Sequence, residues 1–573
     1  MPTVYGNTTG LSPNAHKALD RIYRRRVPLD AMTTPELTKS LCDASRETGR
    51  QIGVLVHRSG QIDVVMVGDA TRLFLPDVGR LRAATGRFRA LRLVHTHLFG
   101  EPLTRDDFVD LVRLRLDLVA AIQIGPDGEP KSLHYAHNVP AEATDVGSAL
   151  LPYRAIGPLP LAKASNVHFG ALISSLEAEF SRRRTMRLKE RREERALLVH
   201  VGDKSKTGAA NLARDRLREL AELARTAGVD VADSIVQLRE RIDPRTVLGK
   251  GKLDDVVLRA AELDAEVLIF DQNLTPTQAA TITAHTDLKV LDRTQLILDI
   301  FAQHAESADG KLQVELAQLK YALPRLGQKD DSLSRLTGGI GGRGPGETKL
   351  EIGRRRARER VSHLESELKR LALRRVERRR KRTRKGVPIV SIVGYTNAGK
   401  STLLNTLTHS DVTAENKLFA TLDPRSRRLR FPEEREVVVT DTVGFIRDLP
   451  DELLRAFRAT FEEVEEADLI LHVVDASDPS HDQHIATTEG LLSELKLDAI
   501  PRVLVMNKMD LLDEGEQRRM TLGRGQVVFL SARQEETTAT LLSRIAETLQ
   551  ERWQGARPAY SYDPAEAEEL VEP

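Results

Sequence analysis

Short apolar runs alternate with segments of helical period along most of the chain, and the two periods rarely mix. Apolar stretches at 52–56 and 62–67 flank His57-Arg58-Ser59-Gly60 and predict a strand pair. A strand at 91–95, a helix at 108–116 and a strand at 118–124 follow, the last closed by Gly125-Pro126-Asp127-Gly128. Residues 1–155 therefore read as a small α/β domain, with a boundary at the Pro-rich 156–164 and a basic connector running to 195. From 196 to 310 the alternation is cleaner: strands at 197–201, 230–238 and 266–271, and helices at 209–227, 253–263 and 275–285. That order argues for a parallel sheet.

At Leu312 the period becomes purely helical, with Leu312, Leu316, Leu319 and Leu323 on one face, and Pro324 ends or kinks that helix. Six glycines in the nine residues 338–346 cannot pack a core. A second helix is predicted over 349–384, where Ala357, Val361, Leu364, Leu368 and Leu371 repeat at 4-3-4-3 spacing. Such a narrow seam suits one partner helix, and at 1.5 Å per residue the arm spans about 50 Å. Residues 311–386 thus read as a helical hairpin with a glycine tip, 387–552 as a further α/β domain, and the Pro-, Ala- and Glu-rich 553–573 as a disordered tail. The fold class is multidomain α/β.

Composition narrows the partners. The chain has 573 residues, 40% of them hydrophobic, enough for several cores. No run of 18 apolar residues predicts a membrane span, and no apolar segment follows the first charges as in a signal peptide. The single cysteine, Cys42, excludes an internal disulfide and fits a reducing cytoplasm. A net charge of +2 conceals two basic blocks, 182–195 and 354–385. The second holds sixteen Lys or Arg against Glu359, Glu365, Glu367 and Glu377. A solvated helix face is the plain reading of a charge run, but this imbalance favours a phosphate-rich partner. Aromatics at 4% argue against base stacking as the main mode of contact.

The chemistry lies between 394 and 532. Gly394-Tyr395-Thr396-Asn397-Ala398-Gly399-Lys400-Ser401, followed by Thr402, comes directly after the apolar run 389–393. A strand feeding a glycine loop that opens a helix frees backbone N–H groups for phosphates. Lys400 would reach the β- and γ-phosphates and Ser401 would ligate Mg2+. Asp441-Thr442-Val443-Gly444 offers a carboxylate near Mg2+, expected in its outer shell, and a glycine N–H for the γ-phosphate. Asn507-Lys508-Met509-Asp510 follows the strand 503–506; Asp510 can accept from guanine N1–H and its 2-amino group, a donor pair adenine lacks. Ser531-Ala532 would bring a backbone N–H to the guanine O6. Each alone could be an ordinary strand-end turn, but four in this order point to a guanine nucleotide.

Taken with Phe270-Asp271-Gln272-Asn273-Leu274, Gly310-Lys311-Leu312-Gln313, the glycine stretch 338–350 and 418–424, the chain resembles the HflX family of translational GTPases over about 195–552. The resemblance implies a Ras-like GTPase domain and binding to the large ribosomal subunit and its rRNA. It also implies ribosome splitting or rescue, notably under stress. The chain is expected to be cytoplasmic and monomeric. Thr421 stands where a mobile segment supplies a threonine to Mg2+, so Lys400, Thr421 and Gly444 are the expected catalytic residues. Phe445 stands where many GTPases carry a glutamine, and a phenyl ring cannot orient water, so intrinsic hydrolysis is expected to be slow until a partner completes the site. Arg425, after Asp423-Pro424, and Pro324 depart from the family pattern. The tip glycines Gly341, Gly342 and Gly344, with Arg343, are similar to an RNA-contacting element near the peptidyl-transferase region.

The front domain lies beyond the usual family length. His95-Thr96-His97, with Thr104 and Asp107, resembles the JAMM/RadC-type zinc signature, though with a shorter gap, a leucine in place of the usual proline, and Glu47 as the nearest candidate for the upstream glutamate. Two imidazoles at i and i+2 plus a carboxylate could hold zinc with an open position. A degenerate fold used for docking is the other reading. Two functions therefore stand beside ribosome splitting: an RNA-binding GTPase gating ribosome assembly, and a metal-dependent hydrolase regulated by GTP.

Overall fold

A computed structural model describes residues 4–76, 88–140, 151–164, 167–189, 194–286, 288–327, 349–383, 387–409, 419, 425–432, 435–442, 444–448, 464–521 and 527–555. They form two units: 1–217 with 228–291, and 218–227 with 292–573.

In the first unit, strands β1 (Tyr5–Gly6), β2 (Ile52–His57), β3 (Ile62–Val67), β4 (Leu91–His97), β5 (Leu118–Ile124), β6 (Pro130–Asn138) and β7 (Tyr153–Pro160) make one sheet, ordered β1-β3-β2-β4-β5-β6-β7. β2 and β3 pair antiparallel, while β4 and β5 run parallel through the helix Arg105–Arg113. Two helices escaped the periodicity reading, Pro13–Ile22 and Pro35–Thr48. Each has proline in its first turn and a capping hydroxyl, Ser12 accepting from the Ala15 amide and Thr34 from the Leu37 amide.

The boundary expected at 156 is corrected here. β7 continues the sheet to Pro160, and Phe169, Ile173 and Leu176, on the helix Phe169–Lys189, enter the same core as Leu41, Val54 and Ile122. Residues 156–176 therefore belong to the front domain rather than to a connector. The exposed basic positions around them hide a buried stripe that charge alone does not reveal.

A second sheet, β8 (Arg195–Asp203), β9 (Asp230–Arg239), β10 (Val267–Phe270) and β11 (Lys289–Asp292), takes the order β11-β10-β8-β9. β8 runs parallel to both neighbours, as the alternation predicts. The unit breaks at 291/292, not at 310, so the helix Arg293–His304 joins the second unit together with Arg218–Ala227, which is the second half of the helix Ala209–Thr226 and the residue after it.

In the second unit, the helix Ala308–Ala322 ends where Pro324 enforces a 3-10 turn over Leu323–Gly327. It packs on the 35-residue helix Lys349–Thr383. Of that seam Leu364 is fully buried, and Arg360–Glu315 and Lys320–Glu365 pairs flank it. The third sheet holds β12 (Ile389–Gly394), β13 (Arg425–Phe431), β14 (Arg435–Asp441), β15 (Leu469–Asp475), β16 (Arg502–Asn507) and β17 (Val527–Phe529), ordered β13-β14-β12-β15-β16-β17. All neighbours are parallel except β13, which adds antiparallel to β14. Its inner strands are near-continuous apolar runs because both faces are covered. Leu403, Leu404 and Leu407 of the helix Lys400–Leu407 bury against Val390, Val439 and Val473, each leucine contributing about 1.5–3 kcal/mol. The nucleotide motifs thus all lie at the C-terminal ends of parallel strands, where an open α/β sheet leaves a crevice.

Candidate functional site

Gly394 ends β12 at φ +151°, and a side chain there would run into the Val473 carbonyl of β15. Asn397 and Gly399 take left-handed φ values of 61° and 90°, so the loop turns back over the start of the helix Lys400–Leu407. That shape leaves backbone N–H groups at the helix N-terminus facing the crevice.

Lys400 folds over the loop, its Nζ donating to the Tyr395 carbonyl at 2.9 Å. Burial pushes its ammonium down to about 8, against the opposing pull of Asp441. Ser401 Oγ donates to Asp441 Oδ2 at 2.6 Å. A hydroxyl and a carboxylate so close present two hard oxygens, a donor set that fits Mg2+. Thr402 is half-buried one residue on.

Gly444 presses on this loop: a Cβ there would lie 2.8 Å from Thr396 Cγ2 and 3.0 Å from Lys400 Nζ. Only a bare backbone brings its N–H to that position. Phe445 is buried rather than facing the crevice. Its backbone bridges the loop, the Thr396 amide donating to Phe445 O at 2.8 Å and the Phe445 amide to Gly394 O at 3.0 Å.

On the opposite side, Asn507 Nδ2 donates to Ala398 O at 2.8 Å while Oδ1 accepts from the Ala532 amide at 2.8 Å. One buried amide thereby ties the phosphate loop to Ser531-Ala532. Lys508, at φ 64°, donates to Asp475 Oδ2 at 2.7 Å, and Asp510 is exposed beyond it. The Ser531 amide is held by Thr537 Oγ1 at 3.1 Å. Thr421 and the tip residues Gly341, Gly342, Arg343 and Gly344 lie outside the described residues. Phe419, close to Thr421 in sequence, packs edge-on against Phe301 with ring centroids 4.7 Å apart.

Sequence reasoning missed Glu219. Its carboxylate accepts from Tyr395 Oη at 2.5 Å and Arg293 Nη2 at 2.9 Å, and from Arg447 Nε. Nothing local signals this, because 176 residues separate Glu219 from Tyr395.

A second cluster occupies the front domain. His95 Nε2 and His97 Nε2 lie 2.9 Å apart, and Asp107 Oδ1 is 3.1 Å from the first. His97 Nδ1 meets the Glu101 carbonyl at 3.0 Å, which requires it to donate and leaves Nε2 a lone pair in the neutral ring. Asp107 caps its own helix, accepting from the Thr104 amide and hydroxyl at 2.7 and 2.8 Å. Burial would raise its carboxyl, but the two imidazoles prevail and hold it well below the usual range. Glu47 does not join this cluster; it accepts from the Ser12 hydroxyl at 3.2 Å.

Three family models match the chain in succession: GTP-binding GTPase N-terminal over 214–302, GTP-binding GTPase Middle Region over 304–382, and 50S ribosome-binding GTPase over 389–508. The chain is 46% identical over 63% of its length to "GTPase HflX" of Caldanaerobacter subterraneus, covering 81% of that protein. It is 41% identical to "GTPase HflX" of Escherichia coli, over 63% of this chain and 83% of the relative. A GTP-binding protein of Sulfolobus solfataricus solved with GDP aligns over 62% of this chain and 99% of its own, at 24% identity and a TM-score of 0.33. The three models begin at residue 214, and none of them reaches the front domain or supports its expected likeness to JAMM-type proteins. Among the described residues, no helix is long and apolar enough to cross a membrane.

Proposed function

The chain belongs to the HflX family of GTPases and hydrolyses GTP to GDP and phosphate, and on that premise we propose that it binds the large ribosomal subunit and dissociates or rescues stalled ribosomes. The observation that carries the nucleotide half of this reading is the double hold of Asn507 on Ala398 and Ala532. In this reading Gly394, Asn397, Ala398, Gly399, Lys400, Ser401 and Thr402 surround the phosphates. Asn507, Lys508, Asp510, Ser531 and Ala532 surround the guanine. Ser401 and Thr421 ligate Mg2+, with Asp441 orienting Ser401, and Gly444 meets the γ-phosphate. When bound, Mg2+ neutralises charge on the β- and γ-oxygens. Lys400 adds a point charge: burial lowers its ammonium to about 8, which still leaves it mostly charged at neutral pH, and a nearby phosphate would raise it again.

The ribosomal half is supported by the helix Lys349–Thr383, which packs against the helix Ala308–Ala322 along one seam and whose sequence carries a large excess of Lys and Arg. The tip residues Gly341 to Gly344 would contact rRNA, with Arg343 as the fork for a phosphate or base edge. With Phe445 buried, no side chain at that position activates water, and the ribosome completes the site. The test is sedimentation of purified ribosomes with the full chain and either GTP or a non-hydrolysable analogue. Subunit binding and dissociation in the GTP form support the reading. Binding without dissociation favours an assembly factor gated by GTP, and no binding overturns both. Arg343→Ala should lower dissociation several-fold with nucleotide affinity unchanged.

A second reading attaches to the front domain, where His95, His97 and Asp107 offer ligand atoms within 4.8 Å of one another. The site would take one Zn2+ with an open position. Metal analysis of the purified full chain beside Asp107→Asn tests it: one equivalent lost on substitution supports the site, and none in either protein removes it.

A further inference from the structure

The known chemistry leaves one buried charged cluster unexplained. Glu219, Arg293 and Arg447 have side chains 9%, 1% and 12% exposed, so one carboxylate and two guanidiniums share a nearly dry space. Tyr395 completes the group. Its hydroxyl donates to Glu219 and accepts from the Arg447 amide at 3.2 Å, and its ring stacks on His484 at 3.9 Å and 9°. Burial, then the neighbouring Glu219 charge, holds that phenol far above its usual range, so it stays a donor.

The location matters more than the strength. Tyr395 is the second residue of the phosphate loop, and its carbonyl carries Lys400. Arg447 lies three residues beyond Gly444. The segment 444–447 is thus held in two ways, through the Phe445 backbone to Gly394 and Thr396, and through Arg447, whose side chain donates to Glu219, whose amide donates to Tyr395 Oη and whose carbonyl accepts from Arg293 Nη2 at 3.5 Å. The first tie is built from main chain. The second converges on one carboxylate, because Arg447, Tyr395 and Arg293 all donate to Glu219 on the helix Ala209–Thr226.

We propose that Glu219 is a positioning residue for GTP hydrolysis, holding Arg447 and Tyr395 so that Gly444 stays against Lys400 and the γ-phosphate position. GDP has no γ-phosphate, so its affinity does not depend on Gly444. The cluster should therefore separate the response to the third phosphate from binding of the rest of the nucleotide.

The test uses the full chain with Glu219→Gln and Arg447→Gln, singly and together, and Tyr395→Phe as a milder variant that removes only the phenol oxygen. Steady-state kcat and KM for GTP are measured beside Kd for GDP and for a non-hydrolysable GTP analogue. Each glutamine variant is expected to lower kcat about tenfold and to weaken analogue binding. GDP affinity should stay within twofold, and the double variant should be no slower than either single one. Unchanged kcat overturns the proposal. So does a parallel loss of GDP affinity, which marks a merely structural cluster, or a double variant whose losses multiply. Should Glu219→Gln fail to fold, Arg447→Gln and Tyr395→Phe decide the matter by the same split between GDP and analogue.

Discussion

The Ser401 hydroxyl donates to the Asp441 carboxylate across 2.6 Å, joining the first turn of a helix to the end of β14. A hydroxyl whose proton is already committed turns its lone pairs outward, which is the orientation a hard cation requires. Asp441→Asn should therefore weaken Mg2+ without disturbing the phosphate loop. Loss of a partner that orients a metal ligand typically costs 10–100-fold in metal affinity. Mg2+ titration of a fluorescent GTP analogue measures it, and an unchanged midpoint would remove Asp441 from the ion's surroundings.

Asp510 is exposed beside Lys508 and has room to meet a base. Asp510→Ala should weaken GTP and GDP alike, by about 1.5–3 kcal/mol for a charge-assisted pair of hydrogen bonds. Weak ATP binding should be left unaltered. Competition between the two nucleotides reads this directly, and equal loss for adenine would show that Asp510 does not read the base.

His472, in the middle of β15, is buried, and its Nε2 has no hydrogen-bond partner among the described residues. Burial, aided by Arg502 and Lys400, pushes it down to about 4. The unfolded chain takes up this proton near 6.5, whereas the folded chain resists until about 4. The depressed value therefore costs stability as pH falls through that window, in total about 3 kcal/mol. Above pH 6.5 the cost vanishes. Denaturant unfolding of the chain and of His472→Phe at pH 7.5 and 5 should show a smaller acid loss in the variant, and parallel losses would count against a buried neutral imidazole.

Leu364 is the fully buried residue of the long helix's seam. Leu364→Ala should loosen the hairpin by about 2–5 kcal/mol. Hydrogen exchange should show the change confined to Ala308–Ala322 and Lys349–Thr383, with the sheet of β12 to β17 unchanged. Exchange that rises across that sheet as well would mean that the hairpin and sheet unfold as one body.

Gly444→Ala places a methyl 3.0 Å from Lys400 Nζ and closer still to Thr396. The Thr396 backbone is among the atoms met, its Cα at 2.9 Å, so the loop must shift and hydrolysis should fall at least tenfold while GDP binding falls less, a split that single-turnover kinetics and a GDP titration resolve.

Much of this architecture is legible in the sequence because it is locally encoded. β12, β14 and β16 are apolar runs that end in Gly394, Asp441 and Asn507, and β17 stops two residues before Ser531, so each has a motif within reach of its own strand. Gly394 and Gly399 are readable for the same reason, since their φ values exclude other residues. What escapes is encoded at long range. β13, Arg425–Phe431, is rich in arginine and has no strand period, and becomes a strand only by pairing with β14. β7 carries two prolines, and only its pairing with β6 extends the front domain. Glu219 looks like any glutamate on an amphipathic helix until the fold brings Tyr395 and Arg447 to it. Sequence periodicity reports which face is buried, but not which charged residues meet there.

The amide of Asn507 has a further consequence. Because it fixes Ala398 and Ala532 to one another, the span between the phosphate end and the base end is set by one of the protein's own side chains. The crevice is in effect a gauge, cut to one length. A nucleotide of the right length inherits that spacing without an ordering cost. One that is too short can satisfy one end or the other, but never both.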